Sequence, residues 1–87
     1  MTIKIINFID HDPAILLEKI SESLKKKKNI ILDFYSLESL NYTFLEDSIG
    51  KILDSYSFES LQFKITFKNV DVGIKEMLSK IIKEKSQ

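Results

Sequence analysis

The sequence predicts an α/β domain in which strands and helices alternate in the order β-α-β-α-β-α around a small, mainly parallel sheet. Three segments have the composition or the apolar pattern of strands. Amphipathic segments with helix-capping residues separate and follow them, which is typical of strand–helix–strand units with a parallel sheet. The chain has 87 residues, the size of one domain, so we expect residues 1–87 to form a single domain.

The first strand and the first helix are predicted near the N-terminus. Thr2 to Ile9 is rich in isoleucine, which favours a strand. Asp12 can accept backbone N–H bonds as an N-cap, and Pro13 suits the first helical position. The helix is expected to continue to about Lys27. Its apolar face consists of Leu16, Leu17, Ile20 and Leu24.

The second strand and helix lie in the middle of the chain. Asn29 to Phe34 is a nearly continuous apolar run, typical of a central parallel strand covered on both faces. After a loop, a helix is predicted from Thr43 to Tyr56. Gly50 inside this helix costs about 1 kcal/mol relative to alanine, so we expect a close packing contact there. The residues expected to be buried are Leu45, Ile49, Ile52, Leu53 and Tyr56.

The third strand is predicted from Leu61 to Phe67, where apolar and polar residues alternate strictly. Such a strand is buried on one face only and lies at an edge of the sheet. Asn69 or Asp71 then caps the last helix. The apolar stripe of that helix consists of Ile74, Met77, Leu78, Ile81 and Ile82.

The order of the strands has a consequence for association. If they lie in sequential order, right-handed crossovers place all the helices on one face of the sheet. The polar side of the last strand would then face water. Because Ile3, Ile5, Ile6 and Phe8 make the first strand apolar on both sides, we expect association through the sheet or its edge, as in a homodimer.

Composition excludes several classes of function. Acidic and basic residues both number 13, and every basic residue is lysine, which argues against nucleic-acid binding because arginine is favoured there. The absence of cysteine excludes disulfides and thiolate metal sites. No signal-peptide pattern and no apolar run of membrane-spanning length is present, so we expect a cytoplasmic protein without a membrane partner.

Residues 30–52 carry a distinctive pattern. A strand ends in Asp33 and Phe34, apolar residues follow four and seven positions after Asp33, and a helix begins near Thr43. The residues in the pattern are Asp33, Phe34, Leu37, Leu40, Asn41, Thr43, Phe44, Glu46, Asp47 and Gly50. This segment resembles the STAS-like family of unknown function, which is related to the anti-sigma-factor antagonists. The similarity extends through residues 63–69 and covers most of the chain from about residue 14.

The resemblance implies a regulatory adaptor in a partner-switching or signalling system. In the antagonist relatives, a partner ATPase of the histidine-kinase type phosphorylates a serine or threonine at the start of this helix. The matching residue here is Thr43, and the implied partner-binding residues are Asn41, Tyr42, Thr43 and Phe44. Where those relatives carry aspartate, serine and glycine, this chain has Asn41, Tyr42 and Phe44. The alternative is a stand-alone interaction or inhibitor protein, phage- or defence-related, that uses the fold without phosphorylation.

The residues at this helix start support two roles for Thr43. Thr43 to Glu46 has the pattern of a capping box, in which the threonine oxygen and the glutamate satisfy each other's backbone N–H groups. A helix start also tolerates an added phosphate, so Thr43 is a candidate phospho-acceptor, and the two roles can coexist. Tyr42 and Phe44, on either side, are expected to be partly exposed and to form an aromatic docking patch.

The remaining polar clusters have simpler interpretations. Lysines 25–28 are expected to be a solvated helix end. His11, the only histidine, lies between Asp10 and Asp12 in a predicted turn, so no metal site is expected. Asp33 is expected to accept backbone N–H bonds from the loop that follows it. We therefore expect a protein-binding module that is not an enzyme and that uses no cofactor.

Overall fold

The computed structural model describes residues 1–86. The strands are β1 (Thr2–Lys4), β2 (Ile30–Asp33) and β3 (Ile65–Lys68). A short 3₁₀ helix, Ile5–Asn7, follows β1. The α-helices are α1 (Pro13–Lys25), α2 (Tyr42–Asp47), α3 (Ile49–Ser55), α4 (Phe58–Leu61) and α5 (Val72–Lys85).

The three strands form a parallel sheet in the order β1-β2-β3. One face is covered by the helices, and the side chains buried there include Ile3, Ile30, Leu32 and Ile65. On the other face Thr2, Lys4, Thr66 and Lys68 are exposed, while Ile31 and Asp33 are half-buried. The predicted α/β class, parallel pairing and edge position of the last strand are confirmed. The prediction that β2 is covered on both faces is wrong, because Ile31 and Asp33 on its second face are only half-buried.

The first strand is shorter than predicted. It ends at Lys4, which pairs with Asp33, the last residue of β2. Beyond Lys4 there is no neighbouring strand to supply backbone partners, so the chain turns into the 3₁₀ helix. Ile5 is buried in that turn and Ile6 is exposed outside the sheet. The open face of β1 therefore carries Thr2 and Lys4, and residues 1–86 do not form the apolar sheet face from which we predicted a homodimer.

Helix α1 begins as predicted. Asp12 Oδ1 accepts a hydrogen bond from Ala14 N at 2.9 Å, and Pro13 occupies the first helical position. Removing the N-cap acceptor from such a site costs about 1 kcal/mol. The helix ends at Lys25, and Lys27 has a φ of 58°, a left-handed conformation that reverses the chain toward β2.

The helix predicted from Thr43 to Tyr56 is broken into α2 and α3 at Ser48. Ser48 is fully buried, and its hydroxyl donates to the Phe44 carbonyl oxygen at 2.6 Å. A serine bonded to the carbonyl four residues earlier bends a helix. Gly50 is buried in the first turn of α3, and a Cβ there would lie 3.4 Å from Ile81 Cγ2 of α5. This is ordinary van der Waals distance, so the packing does not require glycine at this position.

The third strand was predicted four residues too early. Ser57 caps α4 by accepting a hydrogen bond from Ser60 N at 3.2 Å, and Leu61 is buried as the last residue of that helix. A turn follows, and β3 starts only at Ile65. The alternation from Leu61 onward therefore did not indicate a strand over its whole length. Leu61 is buried as part of helix α4, and Phe63 is 85% exposed in the turn that follows.

Helix α5 closes the structure. Asp71 Oδ1 accepts from Gly73 N at 3.1 Å, so Asp71 rather than Asn69 is the N-cap. An ion pair of 2.8 Å between Lys85 and Asp54 joins α5 to α3. It lowers the pKa of Asp54 and raises that of Lys85, chiefly through their hydrogen bond. Within residues 1–86, every helix is too short or too polar to cross a bilayer.

Candidate functional site

The candidate site lies where the loop after β2 leads into α2. Phe34 is fully buried at the start of this loop, and Leu37 and Leu40 pack against the core. The two leucines anchor the loop that leads to Asn41. We refer to Asn41, Tyr42 and Thr43 as the helix-start surface.

Asn41, and not Thr43, is the N-cap of α2. Its Oδ1 accepts a hydrogen bond from Thr43 N at 2.8 Å, and its carbonyl oxygen accepts from Leu45 N at 3.3 Å. The predicted capping box between Thr43 and Glu46 is wrong, because it requires the Thr43 N–H that Asn41 already binds. The signal for the observed cap was present, since asparagine is among the preferred N-cap residues.

Tyr42 connects α2 to α5. Its hydroxyl donates to Glu84 Oε2 at 3.3 Å, and Lys80 Nζ lies 5.3 Å from the centre of its ring. Partial desolvation raises the pKa of the Tyr42 hydroxyl, and the Glu84 carboxylate raises it further. The ring is half-buried against the core, in agreement with the predicted partial exposure.

Thr43 is exposed and its hydroxyl is free. Within residues 1–86, Thr43 Oγ1 takes part in no hydrogen bond, so it has no structural task in the cap. Glu46 and Asp47 follow three and four positions later in α2, on the same side of the helix as Thr43. The local electrostatic environment on this side of α2 is therefore acidic.

Phe44 differs most from the sequence-based expectation. The side chain is only 7% exposed and belongs to the core, so the expectation that it forms part of an exposed aromatic patch is wrong. Phe44 and Leu45 are the two buried residues of the six-residue helix α2. A helix this short has no apolar period that would have identified Phe44 as a core residue. Any influence of Phe44 on binding acts through the position of α2.

A second polar cluster lies nearby, at the carboxyl ends of β2 and β3. Asp33 Oδ1 accepts from Tyr35 N at 3.0 Å, which confirms its predicted role in holding the loop. It also accepts from Asn69 Nδ2 at 2.8 Å. The hydrogen bond from Asn69 makes the largest contribution to lowering the pKa of Asp33. The hydrogen bond from Tyr35 N and the positive charges of Lys68 and Lys4 lower this pKa further.

Asn69, one of the two residues considered as the cap of α5, bonds to Asp33 instead. It joins the ends of two strands from a backbone φ of 56°, a conformation that asparagine adopts more readily than most residues. Because Asp33 Oδ1 accepts hydrogen bonds from both Tyr35 N and Asn69 Nδ2, the cluster holds the loop after β2 against the end of β3.

The other sequence-level candidates lie apart from the helix-start surface. Lysines 25–28 are all exposed at the end of α1, as expected of a solvated helix end. His11 is exposed in the turn before α1. Among residues 1–86, no three histidine, aspartate or glutamate side chains come together in a group that could hold a metal ion.

Comparison with known proteins agrees with the fold. A family model described as a STAS-like domain of unknown function matches residues 14–75. The match runs from α1 through the helix-start surface and β3 into the first turn of α5. Searches of curated proteins and of solved structures found no match. The small three-stranded parallel sheet with its helices on one face and the extent of this match show that the chain belongs to the STAS-like domain family of unknown function.

Proposed function

We propose that this protein is a regulatory adaptor that binds a protein partner through the helix-start surface. One observation carries the proposal: Thr43 exposes a free hydroxyl at a helix start that its neighbours hold in place. Asn41 caps the helix, Tyr42 is tied to α5, and Phe44 anchors the first turn in the core. A surface held this way loses little conformational entropy on binding.

The partner that fits the family relationship is an ATPase of the histidine-kinase type or another regulatory protein. In the ATPase case, the Thr43 hydroxyl attacks the γ-phosphorus of ATP. The Oγ1–P bond forms, the bond to the β-phosphate oxygen breaks, ADP leaves, and a base of the kinase takes the hydroxyl proton. The phosphate on Thr43 adds a charge of about −1.5 to −2 next to Glu46 and Asp47. Repulsion between these like charges on one side of α2 would change the docking surface.

A site-specific cross-linking experiment tests the surface. A photoreactive amino acid is placed at Thr43 in the full chain in its native host, and in a second variant at Glu76, which is exposed on α5. We expect one cross-linked protein that depends on position 43, identified by mass spectrometry. The same cross-links from both positions, or none from position 43, would refute binding at the helix-start surface.

Phosphorylation is tested separately. Thr43→Glu adds a negative charge, Thr43→Val removes only the hydroxyl, and Thr2→Glu adds the same charge to an exposed threonine of β1. The switch predicts that Thr43→Glu weakens partner binding, that Thr43→Val and Thr2→Glu do not, and that phosphate is found on Thr43. The alternative of a stand-alone interaction or inhibitor protein predicts binding that Thr43→Glu leaves intact, on a chain without phosphate.

A further inference from the structure

The edge of the sheet formed by β3 has backbone groups with no neighbouring strand in the described chain. The carbonyl oxygens of Lys64 and Lys68 point toward β2, since they accept hydrogen bonds from Ile30 N at 2.7 Å and Phe34 N at 2.9 Å. Successive residues of a strand direct their N–H and C=O groups to opposite sides. The groups of the intervening residues Ile65 and Phe67 therefore face outward, where they can pair with a further strand.

An apolar cavity opens beside this edge. It has a volume of about 140 Å³ and lies between the covered face of β3 and helices α3, α4 and α5. Its mouth is lined by Phe58 of α4, Phe67 of β3 and Ile82 of α5, all half-buried. A cavity of about 150 Å³ lined by aliphatic and aromatic side chains holds a benzene molecule, so this one has space for one phenylalanine or leucine side chain.

A second depression continues the cavity along β3. Phe67 and Ile82 line both, and the second one extends over Val70, Leu78 and Ser79. Lys75 lines the second depression and gives its outer end a positive charge. Together the two form a groove between β3 and α5, apolar along its floor and cationic at one end.

We propose that this groove binds an extended peptide segment of a partner protein, which adds a fourth strand to the sheet at β3. Every second side chain of such a segment points to the same face, about 6.6 Å from the next. One apolar side chain enters the cavity beside Ile65 and Phe67, the following one enters the second depression, and an acidic residue beyond them meets Lys75. Main-chain hydrogen bonds supply affinity and the two pockets supply specificity.

The charges favour this occupant over a second copy of the chain. A twofold antiparallel pair of β3 strands centred on Thr66 would place Lys68 of one copy opposite Lys64 of the other. Like charges across a strand pair destabilise it. An acidic peptide has the complementary charge. Phe63, 85% exposed in the turn before β3, lies at the opposite end of the edge and offers the peptide an aromatic contact.

A fluorescence-anisotropy titration tests the proposal with the whole chain and a labelled probe peptide, Thr-Phe-Thr-Leu-Thr-Glu. A second probe replaces the middle threonine by proline, which removes a backbone N–H, and a third replaces glutamate by lysine. We expect the first probe to bind at least about tenfold more tightly than the other two. Absence of saturable binding up to about 1 mM, or equal binding of the proline probe, would overturn strand addition.

Variants on α5 locate the site. Ser79→Tyr fills the second depression, and Glu76→Tyr places the same side chain on the solvent face of the same helix. We expect the first to weaken binding about tenfold and the second to leave it unchanged. Lys75→Glu should reverse the preference between the acidic and the lysine probe. Equal effects of the two tyrosine variants, or an unchanged charge preference, would place the peptide elsewhere and refute the groove.

Amide hydrogen exchange supplies an independent readout. The Ile65 and Phe67 N–H groups should exchange freely in the unbound protein and become protected when the acidic probe is added. Protection that already exists without the peptide, together with a dimeric mass in sedimentation, would show that a second copy occupies the edge and would overturn the proposal.

Discussion

Replacing Phe44 by alanine separates a structural role of this residue from direct contact with a partner. Phe44 is only 7% exposed, and truncation of a buried phenylalanine to alanine costs about 3–5 kcal/mol through lost apolar burial and the cavity left behind. A domain of 87 residues has a free energy of unfolding of about 4–13 kcal/mol. We therefore expect Phe44→Ala to lose a large part of the stability and to be unfolded at the lower end of that range.

Urea denaturation followed by far-UV circular dichroism measures this loss. Phe44→Leu retains most of the buried apolar surface and should cost about 1–2 kcal/mol, which leaves a folded protein for binding assays. Thr43→Ala, one residue away and exposed, should change the free energy of unfolding by less than about 0.5 kcal/mol. A loss below about 1 kcal/mol in Phe44→Ala would refute burial of Phe44 and restore it as a direct contact.

Three further predictions concern single contacts. Asn41→Ala should cost about 1 kcal/mol in urea denaturation and Asn41→Asp only a few tenths, because aspartate also accepts the Thr43 N–H; equal losses would contradict the cap. Asn69→Gly keeps the left-handed backbone but removes the hydrogen bond to Asp33, so NMR titration should find the Asp33 pKa raised toward its ordinary value. Because the folded-state pKa of Asp33 is depressed, its contribution to stability exists above the unfolded pKa and disappears as pH falls through the folded one. The stability advantage of the wild type over Asn69→Gly should therefore shrink as the pH falls. A difference in stability that does not change with pH would contradict this prediction. Phe63→Ser should leave the melting temperature nearly unchanged, whereas a large decrease would show that Phe63 is packed.

The elements that local signals specify were predictable from the sequence. Asp12 and Pro13 mark the start of α1, and the apolar run that ends at Asp33 marks β2. Asp71 was one of two caps considered for α5, and the helix has a regular apolar stripe. These signals depend on neighbouring residues or on simple periodicity, so tertiary contacts do not alter them.

The errors occurred where tertiary packing decides. Leu61, Phe63, Ile65 and Phe67 alternate like a strand, but β2 has only four residues and pairs only with residues 65–68. The residues before Ile65 therefore have no partner strand and form α4 and a turn. Similarly, nothing local indicates that Ser48 is buried and interrupts the helix. The Ser48 hydroxyl donates a hydrogen bond to the Phe44 carbonyl oxygen, so the buried side chain has a polar partner and its burial is tolerated.

The helix start after β2 was predicted close to where it lies, but the roles of two of its residues were assigned wrongly. Asn41 has the capping role that was expected of Thr43, and Phe44 is core where an exposed contact was expected. Because Asn41 is the cap, the Thr43 hydroxyl can be modified without loss of a structural hydrogen bond at the helix start. This supports Thr43 as a candidate phospho-acceptor. The groove beside β3 could not be predicted, since it depends on the distance between α5 and an edge strand.

The two proposed surfaces lie on different sides of α5, which bears on how they can work together. Residues of an α-helix are about 100° apart around its axis. Lys80 and Glu84, which contact Tyr42, therefore lie about 100–180° around α5 from Lys75 and Ser79, which line the groove. If both proposals hold, a partner on the helix-start surface would leave the β3 edge accessible, and one chain would bind a regulatory protein and an extended peptide at once. This would be the arrangement of the proposed adaptor, in which one chain joins two partners.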